Sequence, residues 1–281
     1  MTRTVAVTGA SGFVGAAVVA GFESVGDYVI KLGRQVDADS RSRHFDLGGR
    51  MDGDLLADVD ILVHCGWDLT ARGNEAWEVN VTGSRRLFDA FAGKRLLFVS
   101  SMSAHRGTRQ EYGLTKLAVE AAALARGGIV VRPGLVYSQH PGGMVGAFVK
   151  YGALPVTPAI GLRSRQYPVH LDDVVAAIVA LSHSAKVPPG PVGICPPDAE
   201  FFGDILRTLS FQANGRSPRL LPLPWVMAYA ALRALEVLTS RAPFRADSVL
   251  GLVNPAKNVP NAAWLNSELT VVARPFLRAT P

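Results

Sequence analysis

The sequence predicts an α/β chain: a doubly wound parallel sheet joined to a smaller C-terminal lobe. Three observations carry that prediction. The chain opens with a β-branched strand, a glycine-rich turn and a helix, all within its first twenty residues. Short apolar strands then alternate with helical stretches as far as Pro133, which is the rhythm of parallel strands covered on both faces. Beyond residue 134 the rhythm breaks into glycine- and proline-rich stretches, so the later half builds something other than more of the same sheet.

Thr4 to Thr8 is the first strand, and Ala16 to Ala20 lies in the first helix. Asp27 to Leu32 reads as the second strand, ending at Gly33-Arg34, and His44 to Leu47 as the end of a third. Asp60 to Gly66 forms a fourth strand. Trp77 to Phe91 has helical spacing, with Leu87 and Phe88 on one face and Arg85, Arg86 and Asp89 on the other. Arg95 to Ser100 is a fifth strand, Glu111 to Arg126 an alanine-rich helix stopped by Gly127-Gly128, and Ile129 to Pro133 a sixth strand. Farther on, Gln166 to Leu171 reads as a strand and Asp172 to His183 as a helix capped by an aspartate. Residues 200–240 predict two more helices, and a last helical hint lies around Asp247 to Leu252. Residues 1–135, with a segment returning near 166–195, are expected to form a nucleotide-binding unit. The remainder of 136–281 is expected to form a substrate-binding lobe over it.

Composition narrows the classes of function. With 281 residues, 48% hydrophobic and 19% charged, the chain can bury a sizeable core. Met1 to Arg3 run straight into the first strand, which leaves no room for a signal peptide. Leu221 to Leu238 is the most apolar late stretch, but it holds two prolines, Arg233 and Glu236. It therefore reads as an amphipathic or buried helix and not as a membrane span. Cys65 and Cys195 are the only cysteines, without metal-ligand spacing around either, as expected of free core thiols in a reducing, cytoplasmic setting. The net charge of +6 is spread out and no basic run is interleaved with aromatics, which argues against nucleic acid. The expected partner is a small-molecule substrate, with no membrane, no metal and no nucleic acid; a homodimer is left open.

Two ends of a cleft emerge from the residues. Gly9, Gly12 and Gly15, three apart between strand and helix, let the backbone turn sharply and bring Ser11, Phe13 and Val14 to the helix N-terminus. Backbone amides and the helix dipole favour a pyrophosphate there. An acidic residue that would accept the adenosine ribose belongs at the end of the second strand. Gly33 stands there and Arg34 follows, so a carboxylate is replaced by a guanidinium able to grip a 2′-phosphate. That pair favours NADP(H) over NAD(H), against the plainer reading of Arg34 as a surface arginine. Asp46 and Leu47 fit the adenine edge; Asp46 fits equally well as an ordinary strand-end residue.

At the other end, Tyr112 precedes Lys116 by one helical turn, so phenol and ammonium face one cleft. A lysine cation beside a phenol lowers its pKa from about 10, making Tyr112 a proton donor or acceptor while hydride moves. Ser101, with Ser103 as runner-up, ends the fifth strand and can hydrogen-bond a substrate carbonyl. Asn80 and Gly83 are poor helix-interior residues. They indicate either a kink that aims a backbone carbonyl at a water near Lys116, or a helix that simply starts near Asn80. His64 and His170 read as satisfied strand histidines.

Together these residues resemble the extended branch of the short-chain dehydrogenase/reductases, the NAD(P)-dependent epimerases and dehydratases. Thr8 to Gly15 is similar to the family's glycine motif, Asp60 to His64 to its fourth-strand motif, and Asn80 to Ser84 to its fourth-helix motif. Arg132 to Tyr137 and Val169 to Val174 match the strands leading into its substrate lobe. The resemblance implies a Rossmann-type sheet, a nicotinamide cofactor lying against Cys65, Gly66 and Pro133 as well, and catalytic roles for Ser101, Tyr112, Lys116 and Asn80. It often implies a nucleotide-linked sugar as substrate. Three departures stand out: Cys65-Gly66-Trp67 replaces the family's paired alanines, Ser101 lies only eleven residues before Tyr112, and Met102 occupies the place of the dehydratases' acidic pair. The last disfavours elimination of water. The leading expectation is an NADPH-dependent reduction of a carbonyl on a nucleotide-linked sugar or similar compound. The alternatives are an epimerase with resident cofactor, a non-catalytic NADP(H) sensor, and a sterol-type or small-aldehyde reductase with an apolar pocket, a choice that falls to the substrate lobe.

Overall fold

The computed structural model describes residues 2–36, 41–140, 142–238 and 245–276. Its first half contains β1 (Thr4–Thr8), α1 (Phe13–Ser24), β2 (Tyr28–Gly33), β3 (Ser42–His44), β4 (Ile61–His64), α2 (Gly73–Ala76), α3 (Gly83–Ala90), β5 (Arg95–Val99), α4 (Glu111–Ala125) and β6 (Ile129–Pro133). The second half adds β7 (Leu135–Tyr137), α5 (Gly143–Tyr151), β8 (Val156–Ala159), β9 (Arg165–Gln166), β10 (Pro168–His170) and α6 (Leu171–His183). It continues through β11 (Val192–Ile194), β12 (Glu200–Phe201), α7 (Phe202–Asn214), β13 (Arg219–Pro222), α8 (Trp225–Leu238), α9 (Ala246–Val253) and α10 (Ala262–Leu269).

Seven strands form one parallel sheet in the order β11-β6-β5-β4-β1-β2-β3. It is a Rossmann-type sheet, and the winding reverses between β1 and β4, so a crevice opens beyond their carboxyl ends. The pleat sends alternate residues to opposite cores. Val5, Val7, Leu97 and Val99 pack on the side of α1 and α6, whereas Ala6, Leu96 and Phe98 pack on the side of α3 and α4. The chain re-enters the sheet once, through β11 beside β6. Three two-stranded sheets, β10-β7, β12-β9 and β13-β8, build the region above the crevice.

Several local expectations change. The third strand is Ser42–His44, a little earlier than predicted, because its pairing with Lys31 to Gly33 ends there and Asp46 then closes a turn onto Gly48 and Gly49. The strand expected over Gln166 to Leu171 divides at Tyr167: Gln166 pairs with Glu200, whereas Pro168 pairs with Leu135. The following helix is capped by His170, whose Nδ1 accepts the Asp172 N–H at 3.2 Å, and the aspartates occupy its first turn. Helix α5 and α10, and the ribbon β8-β13, carried no sequence signal strong enough to predict them. The stretch from Trp77 begins earlier, at Gly73, and passes through a π-helical turn at Trp77–Thr82 before α3. Gly83 has its own reason. A side chain there would strike the Leu47 backbone carbonyl, so the glycine lets that loop lie against the helix.

Candidate active site

The glycine turn fits a pyrophosphate by what each glycine leaves free. Gly9 has φ +65° and lies so close to Gly66 that a Cβ would stand 2.7 Å from its Cα. Gly15 lets α1 pack directly on the Gly9 carbonyl. Gly12, by contrast, meets only that carbonyl, at 3.2 Å, and its other side is open to the crevice. The Thr8 hydroxyl accepts the Gly66 N–H at 2.9 Å and contacts His64 Nδ1 at 2.7 Å, while His64 Nε2 meets the Ser84 hydroxyl at 2.8 Å. Burial, and then the Lys116 charge, push His64 down to about 3, so it stays neutral and braces the turn.

A cavity of about 400 Å³ runs along the ends of the central strands. Gly9, Gly12, Phe13, Val14 and Gly15 line one end, and Cys65, Ser101, Tyr112, Lys116 and Pro133 the other. Ser103 and Trp67 also reach it. The remaining predicted residues lie outside this lining. Ser11 is exposed on the turn, and Gly66 stands behind Gly9. Gly33 closes β2 and accepts the Phe45 N–H at 2.8 Å. Arg34 is exposed at the same strand end; burial pushes the nearby Asp68 up, but hydrogen bonds from Thr70 and Ala71, with the Arg34 charge adding least, hold it below the usual carboxylate range. Leu47 packs into the core beside α3.

Residues 5–195 of the chain match the NAD dependent epimerase/dehydratase family. The chain belongs to that family. A ceramide reductase of Caulobacter vibrioides is 28% identical, over 94% of this chain and 86% of that protein. Among solved structures, MoeE5 in complex with UDP-glucuronic acid and NAD superposes with a TM-score of 0.73 at 21% identity, covering 98% of this chain and 95% of that one. A UDP-glucuronic acid 4-epimerase from Bacillus cereus, in complex with UDP-glucuronic acid and NAD, gives 0.72 at 16% identity, covering 98% and 94%. These likenesses show the fold, and family membership makes the chain an NAD(P)-dependent enzyme of the oxidoreductase/epimerase class.

In this member of the family Lys116 is buried and Tyr112 is half-buried in the cavity wall. The Lys116 ammonium donates to the Val99 carbonyl at 2.8 Å and sits 3.9 Å from the centre of the Trp67 ring, over its face. Burial pulls Lys116 down to about 7, against the opposing pull of Cys65 and Glu120. Tyr112 packs edge-on to the same indole, with ring centres 6.0 Å apart, and the ammonium lies 5.7 Å from the phenol ring centre. The expected lowering of the phenol is reversed. Burial pushes it up to about 12, and only a hydrogen bond with the Ser101 side chain opposes that shift. The Ser101 hydroxyl also accepts the Ser103 N–H at 3.1 Å, so Ser101 touches the phenol and Ser103 supports it from behind.

Asn80 is buried within the π-helical turn. Its backbone carbonyl takes the Ser84 hydroxyl instead of a water, and its side chain clasps the Asp68 backbone from both sides, at 2.8 and 3.0 Å. It thereby fixes the loop that carries Trp67. Deeper still, Glu120 forms a bidentate ion pair with Arg132 and receives the Ser100 hydroxyl.

Residues 245–252, marked in the sequence only as a helical hint around Asp247 to Leu252, reach the site. Asp247 accepts the backbone N–H groups of Glu111 at 2.9 Å and Tyr112 at 3.3 Å, capping the helix that carries Tyr112 from 135 residues away. Arg245 pairs with Glu111 at 3.0 Å. The helical hint at Asp247 was visible in the sequence, but its target was not. Arg245, Ser248 and Leu252 also line a second cavity of about 490 Å³ that shares Met144, Phe148 and Phe202 with the first. Apart from these polar groups its wall is almost wholly apolar, with Leu206, Leu220, Leu232 and Val249 facing inward.

Proposed function

We propose that this chain is an NADP(H)-dependent reductase acting on the carbonyl of a substrate that carries a long aliphatic chain. The observation that carries this reading is the apolar cavity that shares Met144, Phe148, Phe202, Ser248 and Leu252 with the crevice that holds Ser101, Tyr112 and Lys116. A nucleotide-linked sugar needs several cationic and polar groups for its diphosphate and hydroxyls, whereas Arg245 is the only cationic side chain among the described residues of that wall. An aliphatic chain fits such a wall by removing apolar surface from water. The Caulobacter relative is named a ceramide reductase, and ceramides are lipids of this chemical kind.

In this reading residues 1–135, with 166–195, hold the cofactor, and the remainder of 136–281 holds the substrate. Gly9, Ser11, Gly12, Phe13, Val14 and Gly15 would receive the pyrophosphate, Gly33, Arg34, Asp46 and Leu47 the adenosine end, and Cys65, Gly66 and Pro133 the nicotinamide end. When bound, the nicotinamide supplies the hydride. Tyr112, with a phenol pushed up to about 12, carries its proton at neutral pH, the form that can protonate an oxygen as its carbon is reduced. Ser101 shares that oxygen and holds the substrate against the phenol. Lys116, whose ammonium lies over the Trp67 ring and beside Tyr112, would hold the cofactor ribose, and Asn80 acts as a positioning residue through the Trp67 loop. The absence of a carboxylate at Gly33 and the presence of Arg34 support NADP(H).

The test is oxidation of NADPH with ketones of graded chain length beside UDP-sugars. Turnover rising with chain length is expected, and Ala231→Phe, which fills the cavity, should raise KM for long chains at least ten-fold while sparing short ones. Turnover of UDP-sugars alone would overturn the reading. The epimerase alternative draws support from the UDP-sugar complexes of the structural relatives. It requires a resident cofactor, so near-stoichiometric nicotinamide nucleotide released on denaturing the purified protein would favour it.

A further inference from the structure

The wall of the apolar cavity is also an outer surface. In the β8-β13 ribbon, Thr157 and Leu220 face the cavity, while Val156 and Leu221 point outward and are half exposed. Leu154 and Leu223 do both: they line the cavity yet are 51% and 40% exposed, which places them at its mouth. The chain leaves that rim through Pro224 into α8, whose first turn presents Trp225, Val226 and Met227 to solvent, the last two 57% and 67% exposed. So many large apolar side chains around one opening exceed the scatter expected of an ordinary surface. The charge around them is one-sided. Residues 205–235 contain Arg207, Arg216, Arg219 and Arg233 and no aspartate or glutamate. Arg207 and Arg233 are paired with Asp204 and Glu236, whereas no salt bridge among the described residues ties Arg216 or Arg219 to a carboxylate.

We infer that this face seats on the surface of a lipid bilayer bearing anionic head groups, so that the aliphatic chain of the substrate passes from the bilayer into the cavity without crossing water. The inference rests on the reading of the substrate given above. Trp225, Val226 and Met227 would enter the boundary between head groups and acyl chains, and Arg216 and Arg219 would meet phosphates. The charge also argues against a second copy as the occupant, because a two-fold contact would set the arginines of one patch against those of the other. No helix among the described residues is long and apolar enough to cross a membrane, so the contact is peripheral.

Flotation of the full chain with vesicles tests this. Binding is expected to vesicles of phosphatidylcholine mixed with phosphatidylglycerol, to weaken with salt, and to be far weaker with phosphatidylcholine alone. Val226→Asp with Met227→Asp, and separately Arg216→Glu with Arg219→Glu, should each lower the partition coefficient about ten-fold or more. Turnover of a water-soluble short-chain ketone by these variants should stay unchanged, which also shows that they fold. Failure of the unaltered chain to float with anionic vesicles would overturn the inference, as would flotation of both variants at full strength. A dimer that Val226→Asp dissociates, with no vesicle binding, would also overturn it and make the face an interface between copies. Turnover of long-chain ketones in detergent without vesicle binding overturns the docking and leaves the substrate reading standing. Vesicle binding without such turnover does the reverse.

Discussion

Lys116 should leave a measurable mark on the stability of the free protein. Burial holds its ammonium at about 7, whereas an unfolded lysine keeps its proton to about 10.5. Between those values the unfolded chain binds one proton more than the folded one, so stability rises with pH. The other strongly displaced groups lie outside the lower part of that window. Cys65, Cys195 and Tyr112 are pushed up to about 12, which lowers stability only as pH passes 9 or 10, and His64 matters only below about 6.5. From pH 7 to 8.5 the Lys116 contribution amounts to about 1.5 kcal/mol. Urea denaturation followed by tryptophan fluorescence at several pH values in that range reads it directly. Lys116→Met, which keeps the length of the side chain and removes the charge, should flatten the profile. A wild-type profile that is already flat, or one that Lys116→Met leaves equally steep, would refute the reasoning.

Tyr112→Phe should lower kcat by about 10² to 10⁴ while leaving cofactor affinity near that of the wild type, as single-turnover kinetics and calorimetry would show; retained turnover would remove the phenol from its role. Ser101→Ala should cost about 10² in rate and Ser103→Ala much less, since only Ser101 meets the phenol. Arg34→Ala should weaken NADPH at least ten-fold and NADH little in isothermal titration, and equal losses for both would sink the assignment. Asp247→Ala strips the cap from the helix of Tyr112 and should cost about 1–2 kcal/mol in urea denaturation, with Asp247→Asn recovering part of it; an unchanged midpoint would show that the cap is idle.

The sequence by itself determined the sheet and the ends of its crevice, because both are written in local terms. A strand, a turn that needs φ +65° at Gly9 and a helix are adjacent in the chain, and Tyr112 and Lys116 share a face through helix periodicity alone. The π-helical turn was half legible: Asn80 and Gly83 marked it, but the reasons, a clasp on the Asp68 backbone and the approach of the Leu47 carbonyl, lie in distant segments. The tertiary structure alone decided what surrounds that pair. Trp67 stands below the Lys116 ammonium, Asp247 caps the helix from 135 residues away, and burial turns the phenol pKa upward, against the local expectation of a lowering by the neighbouring lysine. It also decided the character of the second cavity, whose wall is assembled from α5, β8, α7, β13, α8 and α9. Local periodicity reports which way a side chain points from its own element. Desolvation and the closing of a cavity depend on which other elements arrive, and that information is spread over the whole chain.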